Sequence, residues 1–305
     1  MALKDSITFG MSLPHRSAVP IPPAVVRDVA QRADELGFHD LWVTSNTVDA
    51  AGCFDSLTLL AYAAAVTTRI RLGVSVLVLP THHPVHVAHQ VATLDRLSAG
   101  RAILGVGLGR ATEYELFGVP TERRVSRFNE SVELIKALWA GPRASFAGEF
   151  FRARDTTLGT RPLQQPHPPI WFGGQNPAAI RRAAAMSDGW IGAGGSSTAS
   201  LAEAVPLLRS ALERAGRDPA TFPISKRVFL SVHDRGEVAR SEIDRWFRDV
   251  YGNPAGAAAC GVSGTPEEVH RQLAELAATG ATHLLLNPVT RYSEQLETLA
   301  ELVSC

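Results

Sequence analysis

The stretch Ile70–Arg110, IRLGVSVLVLPTHHPVHVAHQVATLDRLSAGRAILGVGLGR, reads as strand, loop, helix, turn and strand. Ile70–Leu79 is a continuous, valine-rich apolar run. Such a run fits a strand covered on both faces, whereas a half-exposed strand would alternate. Pro80 ends it, and Pro84 opens a helix in which Val87, Val91 and Leu94 recur at helical spacing. Ser98-Ala99-Gly100 breaks that helix, and Ala102–Gly109 is a second apolar run ending in glycines. Strand, crossover helix and strand make a βαβ unit, normally parallel and right-handed.

The unit repeats in both directions. Upstream, Ile7, Phe9, Met11 and Leu13 alternate with Thr8, Gly10 and Ser12, giving a strand with one large-residue and one small-residue face. Small residues facing a barrel interior would leave room for a ligand. Val25–Leu36 is an amphipathic helix stopped by Gly37, Leu41–Thr44 a second strand, and Asp55 caps the next helix. Downstream, Arg123–Trp139 is a helix. Residues 141–169, with an irregular hairpin around Gly148 and a proline-rich segment, read as an insertion between repeats. Ile170–Phe172, Gly189–Gly192, Ile224–Val232 and His283–Asn287 supply strands five to eight, each followed by a helix. Thr265-Pro266-Glu267-Glu268 is a capping-box helix start. Eight strands alternating with helices predict an α/β chain folded as a (β/α)8 TIM barrel, one domain over 1–305 with an insertion after strand four. The competing doubly wound sheet would need a switch point and fewer strands.

Composition narrows the function. Lys+Arg and Asp+Glu are 30 each, and a zero net charge argues against a nucleic-acid or membrane-surface binder. No apolar run is long enough to span a bilayer, and the N-terminus lacks a signal-peptide core. Cys53, Cys260 and the terminal Cys305 form no paired motif, which fits structural thiols in a reducing cytoplasm.

In a TIM barrel the chemistry sits at the C-terminal strand ends. This selects Ser12–His15, Thr44–Asn46, Val78–His83, Gly107–Glu113, Gly173–Asn176, Gly192–Ser197, His233 and Asn287–Thr290. Gly173-Gly174 and Ala193-Gly194-Gly195-Ser196 follow successive strands and can bring bare N–H groups to an anion. Each loop alone also fits a tight turn; the pair favours phosphate. Arg181 and Arg182 follow the first loop and read as solvated surface residues. Gly105–Gly109 is no dinucleotide fingerprint, because its third glycine comes too soon and no ribose-binding acid follows. His82, His83, His86 and His89 lack a converging carboxylate, so no metal site is expected. Hydrolase elbows and partnered cysteines are absent from the sequence.

Several runs are specific in combination: Leu72-Gly73-Val74-Ser75-Val76-Leu77, His83-Pro84, Ala92-Thr93-Leu94-Asp95, Leu97-Ser98-Ala99-Gly100-Arg101, Gln165-Pro166-x-Pro168-Pro169-Ile170-Trp171-x-Gly173-Gly174, Asp188-Gly189-Trp190 and Gly264-Thr265-Pro266-Glu267-Glu268. Together they resemble the bacterial luciferase-like superfamily, and most of all its actinobacterial branch that uses the deazaflavin coenzyme F420. The resemblance implies a TIM barrel, commonly a homodimer, binding F420 or FMN at the C-terminal mouth. It implies a non-proline cis peptide at Ser75–Val76, with Ser75, Val76, Val78 and Gly107 against the ring. It also implies phosphate contacts at Gly173, Gly174, Ala193, Gly194, Gly195 and Ser196, and a ring- or substrate-facing Arg110 with Glu113 one turn on. Many relatives carry an Asp-His pair after strand two, where this chain has Ser45-Asn46. Asparagine cannot shuttle protons, which leaves His15, His83 or Glu113 as the candidate acid or base.

The expectation is therefore a cytoplasmic F420-dependent oxidoreductase moving a hydride to or from a small organic substrate, with Asn46, His83 and Arg110 facing that substrate. Its alternatives are an FMN-dependent monooxygenase of the same fold and a non-catalytic flavin-binding barrel.

Overall fold

The structure, a computed structural model, describes residues 3–110 and 113–304. Ala111, Thr112 and Cys305, which the sequence reading placed at the mouth and at the terminus, lie outside the described residues. Eight parallel strands form the barrel: β1 (Thr8–Ser12), β2 (Asp40–Val43), β3 (Arg71–Val78), β4 (Ala102–Gly107), β5 (Ile170–Gly173), β6 (Gly189–Gly192), β7 (Ile224–Val232) and β8 (His283–Pro288). β8 pairs with both β1 and β7, and the β6–β7 ladder, with Trp190 opposite Ile224, closes the ring. Closure removes the doubly wound alternative.

The helices α1 (Pro23–Glu35), α2 (Ser56–Val66), α3 (Pro84–Leu97), α4 (Arg124–Ala140), α5 (Pro177–Met186), α6 (Thr198–Arg214), α7 (Gly236–Asp249), α9 (Pro266–Ala278) and α10 (Tyr292–Val303) follow the expected order, and the short α8 (Gly256–Cys260) was not expected. Asp55 caps α2 by accepting from Thr58 N, and the Thr265/Glu268 capping box is complete at α9. Residues 144–147 and 152–156 form the expected hairpin. Periodicity could not reveal the shortest pieces. These are a two-residue ladder of Arg16–Ser17 with Gly52–Cys53 beside the mouth, and Val262–Gly264 extending the sheet alongside the end of β7. Segments of two or three residues have no period to read.

Side chains alternate across the barrel wall. Phe9, Met11, Leu41, Val43, Leu72, Val74, Leu104 and Val106 point outward into the layer shared with the helices. Trp42, Ile103, Trp171, Ile191 and Leu285 fill the interior, and Val76 packs on them from above. The small face of β1 does turn inward, but the room beside Gly10 is not ligand space. A Cβ there would lie 1.9 Å from Asp40 Oδ1 and 2.9 Å from Trp42 Nε1, because the glycine makes way for a buried polar cluster.

In that cluster the Asp40 carboxylate, wholly buried, accepts from the Trp42 indole, from His283 Nε2 (2.9 Å) and from His39 Nδ1 (2.6 Å), while His283 Nδ1 meets Ser225 Oγ at 2.7 Å. His39, Asp40 and His283 are a converging imidazole–carboxylate set, far in sequence from the histidines at 82–89. Burial alone would push the Asp40 carboxyl up; His283 and His39 outweigh it and hold it well below the usual carboxylate range.

Two of the motif segments serve the fold. Buried Arg101 donates to Ser98 O, Ile70 O, Ala64 O and both oxygens of Thr67, tying the end of α2 to β3. Asp95 accepts from Leu163 N, Gln164 N and Gln164 Nε2 at 2.6–2.9 Å, pinning the proline-rich segment to α3.

Candidate active site

Two cavities open at the C-terminal strand ends, of about 390 and 460 Å³. Both fall in the usual range for small-molecule sites. They meet at Ser75, Val76, Gly109, Arg227 and Tyr251, which line both.

The smaller cavity collects the ends of β3 to β7. The Ser75–Val76 peptide is cis, as the resemblance implied, and the β3–β4 register shifts between Val74 and Leu77. Val76 projects between the neighbouring strands, and glycines receive it. A Cβ on Gly107 would come within 2.7 Å of Val76 Cγ2, and one on Gly173 within 2.9 Å of Val76 Cγ1. The loops after β5 and β6 are locked together. Ala193 N donates to Gln175 Oε1 (3.3 Å), and the Trp190 indole donates to Gly174 O (2.8 Å). Beneath the second loop, buried Lys226 donates to Ala193 O and Gly194 O, and burial pushes its amine down to about 7. Gly173, Gly174, Ala193 and Gly194 line the cavity. Gly195 and Ser196 are not among the lining residues; the Ser196 hydroxyl turns back to Ala193 O at 2.7 Å.

Among the described residues three arginines face this cavity, Arg124, Arg182 and Arg227, and no carboxylate lines it. Arg182 was expected to be a solvated surface residue. It is half-buried over the Phe128 ring, with a buried Nε that has no hydrogen-bond partner. Arg181, its neighbour, is exposed. Bare backbone, a helix start capped by Asn176, and unneutralised guanidinium groups together form an anion cradle.

The larger cavity is bounded by His15, Thr44, Asn46, Val78, Arg110, Phe229, Trp246, Tyr251 and Asn287, among others. Trp246 and Tyr251 stack at 5.4 Å to form an aromatic wall. Arg110 is largely exposed and pairs with Glu113 at 2.9 Å. His83 is brought to neither cavity. It is exposed, caps α3 by accepting from Val85 N at 3.3 Å, and lies edge-on to Phe151.

His15 is engaged on both sides. Its Nδ1 lies 2.6 Å from Leu13 O, and its Nε2 accepts from Thr44 N (3.1 Å) and meets Thr44 Oγ1 at 2.7 Å. Asn46 Nδ2 in turn donates to Thr44 Oγ1 at 2.8 Å. Burial, with Arg227 and Arg16 nearby, pushes the imidazole down to about 4 against the bond to Leu13. Cys53 and Cys260 are free, and burial pushes both thiols up, which makes them poor nucleophiles.

Arg227 was missed from sequence. On β7 it reads as the last of three consecutive polar residues, Ser225 to Arg227, in a strand; only the ring closure aims it at Ser75 on the opposite strand, whose carbonyl and hydroxyl it binds.

A parallel (β/α)8 barrel with an anion cradle running into a polar and aromatic cavity defines a cofactor-type site at its mouth. The luciferase-like monooxygenase family model matches residues 7–283, and the chain belongs to that family. It is similar, at 35% identity over 226 residues and 70% of its own length, to an F420-dependent glucose-6-phosphate dehydrogenase of Kineococcus radiotolerans, 66% of which the match covers. The chain thus spans about two thirds of that relative. Among solved structures, the monooxygenase RslO1 of Streptomyces bottropensis superposes with a TM-score of 0.85 at 26% identity, covering 98% of each chain. An F420-dependent secondary alcohol dehydrogenase, solved with an F420–acetone adduct, superposes at 0.84 over 97% of this chain and 98% of its own, at 19% identity. No helix of the described residues is long and apolar enough to cross a membrane.

Proposed function

We propose that this chain is an F420-dependent oxidoreductase acting on a small organic substrate. The observation that carries the reading is the carboxylate-free, three-arginine cavity that continues across Val76 into a second cavity. The F420-dependent relative adds support. Gly173, Gly174, Ala193, Gly194, Arg124 and Arg182 would hold the phosphate, and Ser75, Val76, Val78 and Gly107 would back the ring. When bound, the cofactor supplies the hydride chemistry. The protein contributes orientation and exclusion of water.

Asn46 and Arg110 face the substrate cavity. Asn46 can orient a carbonyl or hydroxyl oxygen but cannot exchange a proton with it. The Asn46–Thr44–His15 line therefore orients the Asn46 amide rather than relaying a proton, and it ends on a neutral imidazole. Glu113 is tied to Arg110.

The alternative, an FMN-dependent monooxygenase, is favoured by one observation, the likeness over nearly the whole chain to RslO1, whose name gives the monooxygenase class and no cofactor. Absorbance titrations of the full chain with F420 and with FMN separate the two. Tight FMN binding without F420 binding would overturn the first reading. With F420 bound, a sugar phosphate, the substrate class in the relative's name, is the first compound to assay.

A further inference from the structure

Arg227 carries a charge that the barrel leaves uncompensated. It rises from β7 and crosses the mouth to β3, where one Nη binds Ser75 O and Ser75 Oγ. Among the described residues its Nε and second Nη have no hydrogen-bond partner, and it forms no ion pair. The one carboxylate lining either cavity, Glu113, is paired with Arg110, and the neighbouring Arg16 is paired with Asp49. The guanidinium is half-buried and its unpartnered nitrogens are open to the cavities it lines, so a bound ligand can supply the counter-charge.

The position of Arg227 says which part of a ligand that is. The two cavities meet at Ser75–Val76, Gly109, Arg227 and Tyr251. Whatever runs from the anion cradle into the substrate cavity passes over Val76 and beside this guanidinium. On the reading proposed above, on which this inference rests, the group in that passage is the redox ring. We propose that Arg227 is the counter-charge of the reduced ring, so that the protein binds reduced cofactor more tightly than oxidised. A hydride brings two electrons and one proton. It leaves a net negative charge on the ring's N–C=O edge unless a second proton follows, and a guanidinium there favours the unprotonated anion. The other charged or titratable groups around it are Arg16 and His15 after β1, Arg110 and Glu113 after β4, Arg124 on α4, Arg182 on α5, Lys226 beside it on β7, Tyr251 after α7 and Tyr292 on α10.

The test is the affinity of the full chain for oxidised and reduced F420 (FMN if that is what binds), measured anaerobically for the parent, Arg227→Lys and Arg227→Met. Arg227→Met is expected to lose about tenfold of the preference for reduced cofactor, equivalent to about 30 mV for a two-electron couple, while Arg227→Lys keeps most of it. An unchanged ratio in Arg227→Met would overturn the proposal. So would an unchanged ratio with a raised KM for carboxylate-bearing substrates alone, which would assign the charge to the substrate. Should Arg227→Met not fold, the parent decides by absorbance: bound reduced cofactor is expected to take up its proton at lower pH than free cofactor, and uptake at the same pH overturns the idea. A parent that binds neither cofactor removes the underlying reading and this inference with it, and that result is visible before any variant is made.

Discussion

Asn46 and His15 show what a residue type says alone and what its surroundings add. As a residue type, Asn46 already ruled out the proton exchange that the family resemblance implied at this position. His15 was one of three candidates by residue type, and the structure adds that Leu13 and Thr44 engage both its ring nitrogens. The consequence is testable by pH. A histidine whose folded pKa is lowered to about 4, from about 6.5 when unfolded, is neutral in the fold and must charge on unfolding in acid. Its contribution is therefore complete above about pH 6.5 and is lost as pH falls toward 4, by at most about 3 kcal/mol. Denaturant unfolding of His15→Gln should show a flatter pH dependence across that window than the parent. If proton exchange at position 46 matters, Asn46→His should raise turnover and introduce a kcat dependence near neutral pH; steady-state rates from pH 5 to 9 check this, and an unchanged profile places the proton chemistry elsewhere.

At the scale of elements, the strand–loop junctions carry the site. Strands β6 and β7 and helix α5 begin and end where the sequence pattern placed them. The glycine loops were legible as a candidate anion site because tight turns and bare N–H groups follow from residue type. What sits behind the loops was not legible. Lys226 lies on a strand whose pattern gives it no partner, and its support of Ala193 and Gly194 depends on β7 lying next to β6. Lys226→Met should loosen this loop and weaken cofactor binding several-fold while the fold persists, as read by fluorescence titration and circular dichroism. Gly107→Ala is expected to be more severe for binding. Its Cβ would lie 2.7 Å from Val76 Cγ2, so Val76 must move, at a cost of about 1–3 kcal/mol. A cofactor affinity unchanged in Gly107→Ala would separate Val76 from the ring site.

The molecule as a whole is held at the other end of the barrel by the cluster around Asp40. Removing one partner of a buried charged pair strands the other, so Asp40→Ala should lose about 3–5 kcal/mol in equilibrium unfolding. Because the folded pKa of Asp40 is depressed, its contribution is present above about pH 4 and declines as pH falls through the folded value. A loss below about 1 kcal/mol would show that the cluster is a packing feature and not an electrostatic one.

The chain's pattern alone determined eight strands, their helices and the end of the barrel that bears loops, since hydrophobic period, caps and glycines act within a few residues. The resemblance carried by its motifs pointed to the cis bond at Ser75–Val76. Only the tertiary structure could decide that Arg182 faces a cavity, that His83 does not, and that Arg227 reaches across to Ser75. Those facts depend on which strands become neighbours or opposites when the ring closes, and such long-range geometry leaves no periodic trace along the chain.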